Sequence, residues 1–82
     1  MNRAVLAYHT LQAAIGSEWK HKSPGSNVVR ITELDGHALT VSTSGSLTFN
    51  VLEFLKTHAP VPPPDKVPSW YERLIADRLL SV

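Results

Sequence analysis

Histidine is the side chain best suited to acid, base or metal chemistry near neutral pH, and the chain has four: His9, His21, His37 and His58. No two of them stand four apart, the spacing that sets two imidazoles on one helix face for zinc. A metal site would require the fold to gather them with carboxylates, so no metal and no other cofactor is expected. Glu33 and His37 could face each other across a hairpin as an acid/base pair. An exposed hairpin end lacks the dry pocket that makes such a pair catalytic, and a cross-strand charge pair is the simpler reading. Ser44 and Ser46 flank Gly45 without the pattern of a nucleophile elbow. The sequence contains no cysteine, which removes thiol nucleophiles, thiolate metal sites and disulfides. No catalytic residues, and hence no enzyme, are expected.

Two stretches remain that could bind. The first is VSTSGSLTFNVLEF, Val41 to Phe54, whose Ser/Gly centre raises the prospect of a phosphate cradle. Such a cradle needs its amides at the helix N-terminus, and Gly45 lies several residues too early, with no Gly-Lys-Ser/Thr to complete a P-loop. The second is Trp19, Lys20, His21 and Lys22, joined by Arg30 further on. Here an indole able to stack on a base, or to anchor in a protein pocket, stands among cations, although a lone tryptophan beside a sheet is more often a core lid. Net charge is only +1, from eight basic and seven acidic residues, without the dense basic stripe of a dedicated nucleic-acid binder. A solvated charged run is the alternative meaning of the cluster.

The elements that must position these residues can be read in turn. Asn2 to Ile15 is predicted to be a helix capped by Asn2, with Ala4, Tyr8, Leu11 and Ile15 on one face and Gly16 left-handed at its end. Ser17 to Lys22 either extends that helix or forms a first strand, and the strand is favoured. Ser23 to Asn27 is a loop. Two hairpins follow. A three-residue loop at Leu34-Asp35-Gly36 pairs Glu33 with His37, Ile31 with Leu39 and Val29 with Val41. A second at Thr43-Ser44-Gly45 pairs Ser42 with Ser46 and Leu39 with Phe49. Both glycines would then be left-handed in bulges. This register puts Val29, Ile31, Leu39, Val41, Leu47 and Phe49 on one face, and a slip of one residue would scatter them. Asn50 should cap a short helix with Glu53 reaching back and Phe49 stapled to Phe54. Pro60 to Pro68 holds five of the six prolines and reads as a rigid polyproline connector, with a PxxP spacing from Pro60 to Pro63. Ser69 and Glu72 form a capping box for a last helix with Trp70, Tyr71, Leu74, Ile75 and Leu79 on its apolar side and an Arg73–Asp77 pair outside.

The fold expected is α+β: an N-terminal helix, a curled antiparallel meander of three or four strands, a short helix, a proline-rich strap and a C-terminal helix. The helices should cover the inner sheet face. The chain, at 82 residues, is one domain, 1–82, with 60–68 as a connector inside it. At this length the core is thin. The apolar arc of the first helix is wide, so either it drives self-association or the strap and last helix cover it. The N-terminal apolar run is too short for a signal peptide or a membrane span, and a cytoplasmic protein with no membrane partner is expected.

The stretch EWKHKSPGSNVVRI, followed by a hairpin, LTVSTSG and a helix carrying Phe and Leu, resembles small SH3-like β-barrel modules of bacterial and phage proteins, over Glu18 to Leu55. The resemblance implies a binding module without catalytic residues. The function expected is therefore non-catalytic protein binding, in the manner of a phage or bacterial accessory or inhibitor protein. The alternative is a weak nucleic-acid-binding module. In both, Trp19, Lys20, His21, Lys22 and Arg30 are the candidate binding residues, placed on or beside the first edge of the sheet.

Overall fold

The computed structural model describes residues 2–61 and 65–80. Helix α1 (Arg3–Leu11) starts where predicted, with the Asn2 side chain accepting from the amides of Ala4 and Val5 at 2.8 and 3.2 Å. It ends earlier than predicted. Gln12–Ala14 tighten into a 3₁₀ turn, and Ile15 is already extended. The tighter turn changes which residues face inward, since three residues per turn stack Ala14 beneath Leu11. Ala7, Leu11 and Ala14 are buried, whereas Ile15, placed on the apolar face by a uniform helix, is 49% exposed. Gly16 is left-handed as predicted, with φ of 92°.

Five strands follow, one more than the upper expectation: β1 (Glu18–His21), β2 (Val28–Asp35), β3 (Ala38–Ser42), β4 (Ser46–Asn50) and, after helix α2 (Val51–Thr57), β5 (His58–Pro60). Their order is β4-β3-β2-β1-β5, with every neighbour antiparallel, and the sheet is open. The unforeseen strand is short and ends in Pro60, which an edge tolerates. It runs against β1, pairing Trp19 with Pro60 and His21 with His58. Strand β1 is therefore interior to the sheet and not its first edge.

The second hairpin has the predicted register, Ser42 opposite Ser46, Val41 opposite Leu47 and Leu39 opposite Phe49. Gly45, however, is not left-handed. The first hairpin differs. Asp35 pairs with Ala38 across a two-residue turn, Gly36-His37, so Glu33 faces Thr40 and not His37. Gly36 alone of the two has positive φ, 60°, the type II′ arrangement that matches strand twist. A one-residue bulge at Thr32 reconciles this turn with the apolar pattern, letting Ile31 oppose Val41 while Leu34 opposes Leu39. Most of the predicted inner face thus survives a different register: Ile31, Leu39 and Val41 are fully buried, and Val29 and Phe49 pack against them, whereas Leu47 on the outer strand stays exposed.

Helix α2 is capped by Asn50, which accepts from Leu52 and Glu53, and Phe49 lies 5.6 Å from Phe54 between ring centroids. The capping box predicted for helix α3 (Ser69–Ala76) does not form. The chain turns helical one residue early, so the Pro68 carbonyl receives the Tyr71 and Glu72 amides and Ser69 lies within the first turn. Arg73 and Asp77 pair at 3.2 Å. Beyond Asp77 the chain closes a Schellman motif without glycine. Arg78 is left-handed at φ 57°, its amide bonds Ile75, and the Leu79 amide bonds Leu74. All three helices join one core with the sheet, built around Leu11, Trp19, Ile31, Leu39, Phe54 and Leu74. Helix α1 packs against both α2 and α3, which covers much of its wide apolar arc within the chain. Of the proline strap, 62–64 lie outside the described residues, as does the predicted PxxP spacing that includes Pro63.

Candidate functional site

The five residues singled out from sequence do not form one surface. Trp19 is fully buried. Its ring stacks on Trp70 at 5.8 Å and tilts against Phe54 at 5.0 Å. Its Nε1–H donates to Ser17 Oγ at 2.8 Å, and the Ser17 hydroxyl donates in turn to the Ala14 carbonyl. Strand alternation explains the placement: Trp19 points into the core, and Glu18 and Lys20 point to the opposite, helix-free face. In that conformation Trp19 is no anchor for a partner. Arg30 sits on the helix-free face opposite Glu18, bonded to its carboxylate at 3.4 Å and to the Gly16 carbonyl at 2.8 Å. Much of its charge is thereby answered within the chain. Lys20 and Lys22 are exposed.

His21 and His58 are brought together by the strand that sequence reading missed. They pair across β1 and β5 with ring centroids 5.0 Å apart, edge to face. His21 Nδ1 accepts from the Ser23 amide at 2.9 Å. His58 is buried, stacked on Phe54 at 4.3 Å, with its Nδ1 2.8 Å from Thr57 Oγ1. Burial holds the His58 imidazole below its ordinary pKa, and His21 adds to the effect, against an opposing hydrogen bond with the Phe54 backbone. No carboxylate completes the pair into a metal site: among the described residues no three His, Asp or Glu side chains gather to hold an ion.

A broad concavity lies elsewhere, between α1 and α3. It has a volume of about 720 Å³ and is open to solvent. Leu6, Ala13, Trp70 and Ala76 supply its apolar lining; His9, Thr10, Glu72 and Arg73 supply the polar part. Two small residues, Ala13 in the 3₁₀ turn after α1 and Ala76 at the end of α3, leave room between larger neighbours. The signal for it in the sequence was the excess width of the apolar arc on the first helix. The last helix, with Trp70 on its apolar side, was one of the two partners expected for that arc, but a cleft between them was not. Chemically the cleft offers apolar contact area with one acidic and one basic side chain, a suitable composition for a peptide and an unsuitable one for a polyanion.

Among the described residues no helix is long and apolar enough to cross a membrane. No protein-family model, curated protein or solved structure matches the chain.

Proposed function

We propose that the chain is a non-catalytic protein-binding module that receives a peptide segment of its partner in the cleft between α1 and α3. One observation carries the reading: the concavity between α1 and α3 pairs an apolar lining that includes Trp70 with Glu72 and Arg73, the mixture of apolar contact and sparse opposite charge found at protein interfaces. The antiparallel meander from Glu18, followed directly by α2, is the part of the chain to which the proposed likeness to small SH3-like modules refers; its sheet is open, and the cleft lies on the added helices. An accessory or inhibitor role rests on that likeness, and a reducing, cytoplasmic setting rests on the cysteine-free sequence. The nucleic-acid alternative is weakened by Trp19 being buried and Arg30 being engaged by Glu18.

The test is a selection of randomised displayed peptides against the folded chain. Ala13→Arg should fill the cleft and lower the affinity of the selected peptides about tenfold or more, without altering thermal stability. Lys20→Glu with Lys22→Glu should leave it unchanged. Selected peptides indifferent to Ala13→Arg would overturn the proposal. So would micromolar, salt-sensitive binding of random duplex DNA.

A further inference from the structure

The two edges of the sheet are unequal. Strand β5 is three residues long and ends in Pro60, which blunts it. Strand β4, Ser46-Leu47-Thr48-Phe49-Asn50, has no charge, no proline and no bulge, and its neighbour β3 is uncharged too. Natural edges are normally protected by such features, and this one has none. Leu47 adds an apolar side chain 52% exposed beside that edge.

The direction of its free hydrogen-bonding groups follows from two bonds. The Val51 amide donates to the His37 carbonyl, and the Thr43 amide to the Gly45 carbonyl, at 2.8 Å each. In the register of β3 and β4 both are links between odd-numbered residues. Hydrogen-bonded and non-bonded pairs alternate along an antiparallel ladder, so Leu47 and Phe49 bond to β3. Ser46, Thr48 and the Asn50 amide then face outward.

We infer that β4 pairs with β4 of a second copy of this chain, antiparallel about a two-fold axis at Thr48, joining the two sheets into one. The strand is its own complement in that register. Thr48 exchanges both backbone bonds with its counterpart, and Ser46 lies opposite Asn50. On the helix side Leu47 meets Phe49 of the other copy in a close non-bonded pair, which covers the exposed leucine. On the other face the Thr40–Thr48 hydroxyl contact, 3.3 Å, continues to the second Thr48. No like charges meet at the edge, and a net charge of +1 per copy adds little repulsion. A surface this small makes a weak dimer, formed in concentrated solution. It does not depend on the cleft between α1 and α3.

The absence of cysteine makes the register directly testable. At near-millimolar concentration, Thr48→Cys should be joined to a covalent dimer by a short bifunctional maleimide, and Lys20→Cys, on an interior strand, should not. Without cross-linker, sedimentation should show a dimer for the wild-type chain, with Leu47→Lys raising its dissociation constant about tenfold or more. Thr48→Pro should fold, because its amide faces outward, yet stay monomeric. Equal cross-linking of the two cysteine variants would overturn the inference. A wild-type monomer at that concentration, or a dimer indifferent to Leu47→Lys and Thr48→Pro, would do the same, whether the cause is a helix-mediated interface or an edge kept for a foreign strand.

Discussion

Trp19 stands at the centre of the aromatic core, between Trp70 and Phe54, with its one polar atom satisfied by Ser17. Trp19→Ala should cost about 3–5 kcal/mol, a large share of the stability of a domain this small. Urea unfolding reads it as a lower midpoint. His58 makes a second residue-level case. Its folded pKa lies below the usual 6.5 because the ring is buried beside His21. The unfolded chain therefore binds the proton first as pH falls. The stabilising contribution is complete above about pH 6.5 and drains away as pH drops towards the folded value. His58→Gln should flatten that decline in thermal unfolding measured from neutral to mildly acidic pH, and an unchanged slope would assign it to another group. The identity of these two core aromatics was hard to read locally. Lys20 and Lys22 made Trp19 a candidate anchor, although a lone tryptophan beside a sheet more often lids a core, and strand alternation buries it between the outward Glu18 and Lys20. His58 looked solitary because its partner belongs to a strand 37 positions earlier in number, set beside it only by tertiary pairing.

At the scale of elements, local instructions that act within a few residues were legible. The Asn2 and Asn50 caps, the Phe49–Phe54 staple and the Arg73–Asp77 pair all form. The second hairpin keeps its register because loop length and apolar alternation agree. The first does not, because a bulge at Thr32 permits a two-residue turn with the same buried face, and side-chain pattern alone cannot distinguish the two. The glycines separate these cases by experiment. A Cβ at either Gly36 or Gly45 would meet nothing within 4 Å, so only backbone conformation counts. Gly36→Val, at positive φ, should cost roughly 1–2 kcal/mol, and Gly45→Val should stay within about 0.5 kcal/mol of wild type. Similar melting temperatures for the two variants would contradict this assignment of the turns. The Schellman closure of α3 could not be read from the sequence, since an arginine holds the place of the usual glycine. Arg78→Gly should stabilise the chain by about 0.5–1 kcal/mol in urea unfolding. The Arg3 guanidinium bond to the Arg78 carbonyl, 3.0 Å, survives that change because it uses backbone.

At the scale of the whole molecule, the α+β class and the order of helices follow from periodicity and turn chemistry, whereas the cleft follows from how two distant helices meet. Helix α1 carries small residues on one flank and α3 carries Trp70 and Arg73. Neither helix alone marks a site. The opposite, helix-free face of the sheet bears Lys20 and Arg30, the latter held by Glu18. The two faces thus offer different partners different chemistry, and the choice between them is the choice between functions. Amide-resolved NMR of the labelled chain, titrated in turn with a selected peptide and with random duplex DNA at low ionic strength, tests that choice most directly. The peptide should shift Thr10, Ala13, Trp70 and Ala76 in a saturable manner that persists in salt, while DNA leaves the spectrum unchanged. Shifts centred on Lys20, Lys22 and Arg30 that appear with DNA and vanish as salt is raised, with the cleft silent to peptide, would contradict the protein-binding assignment.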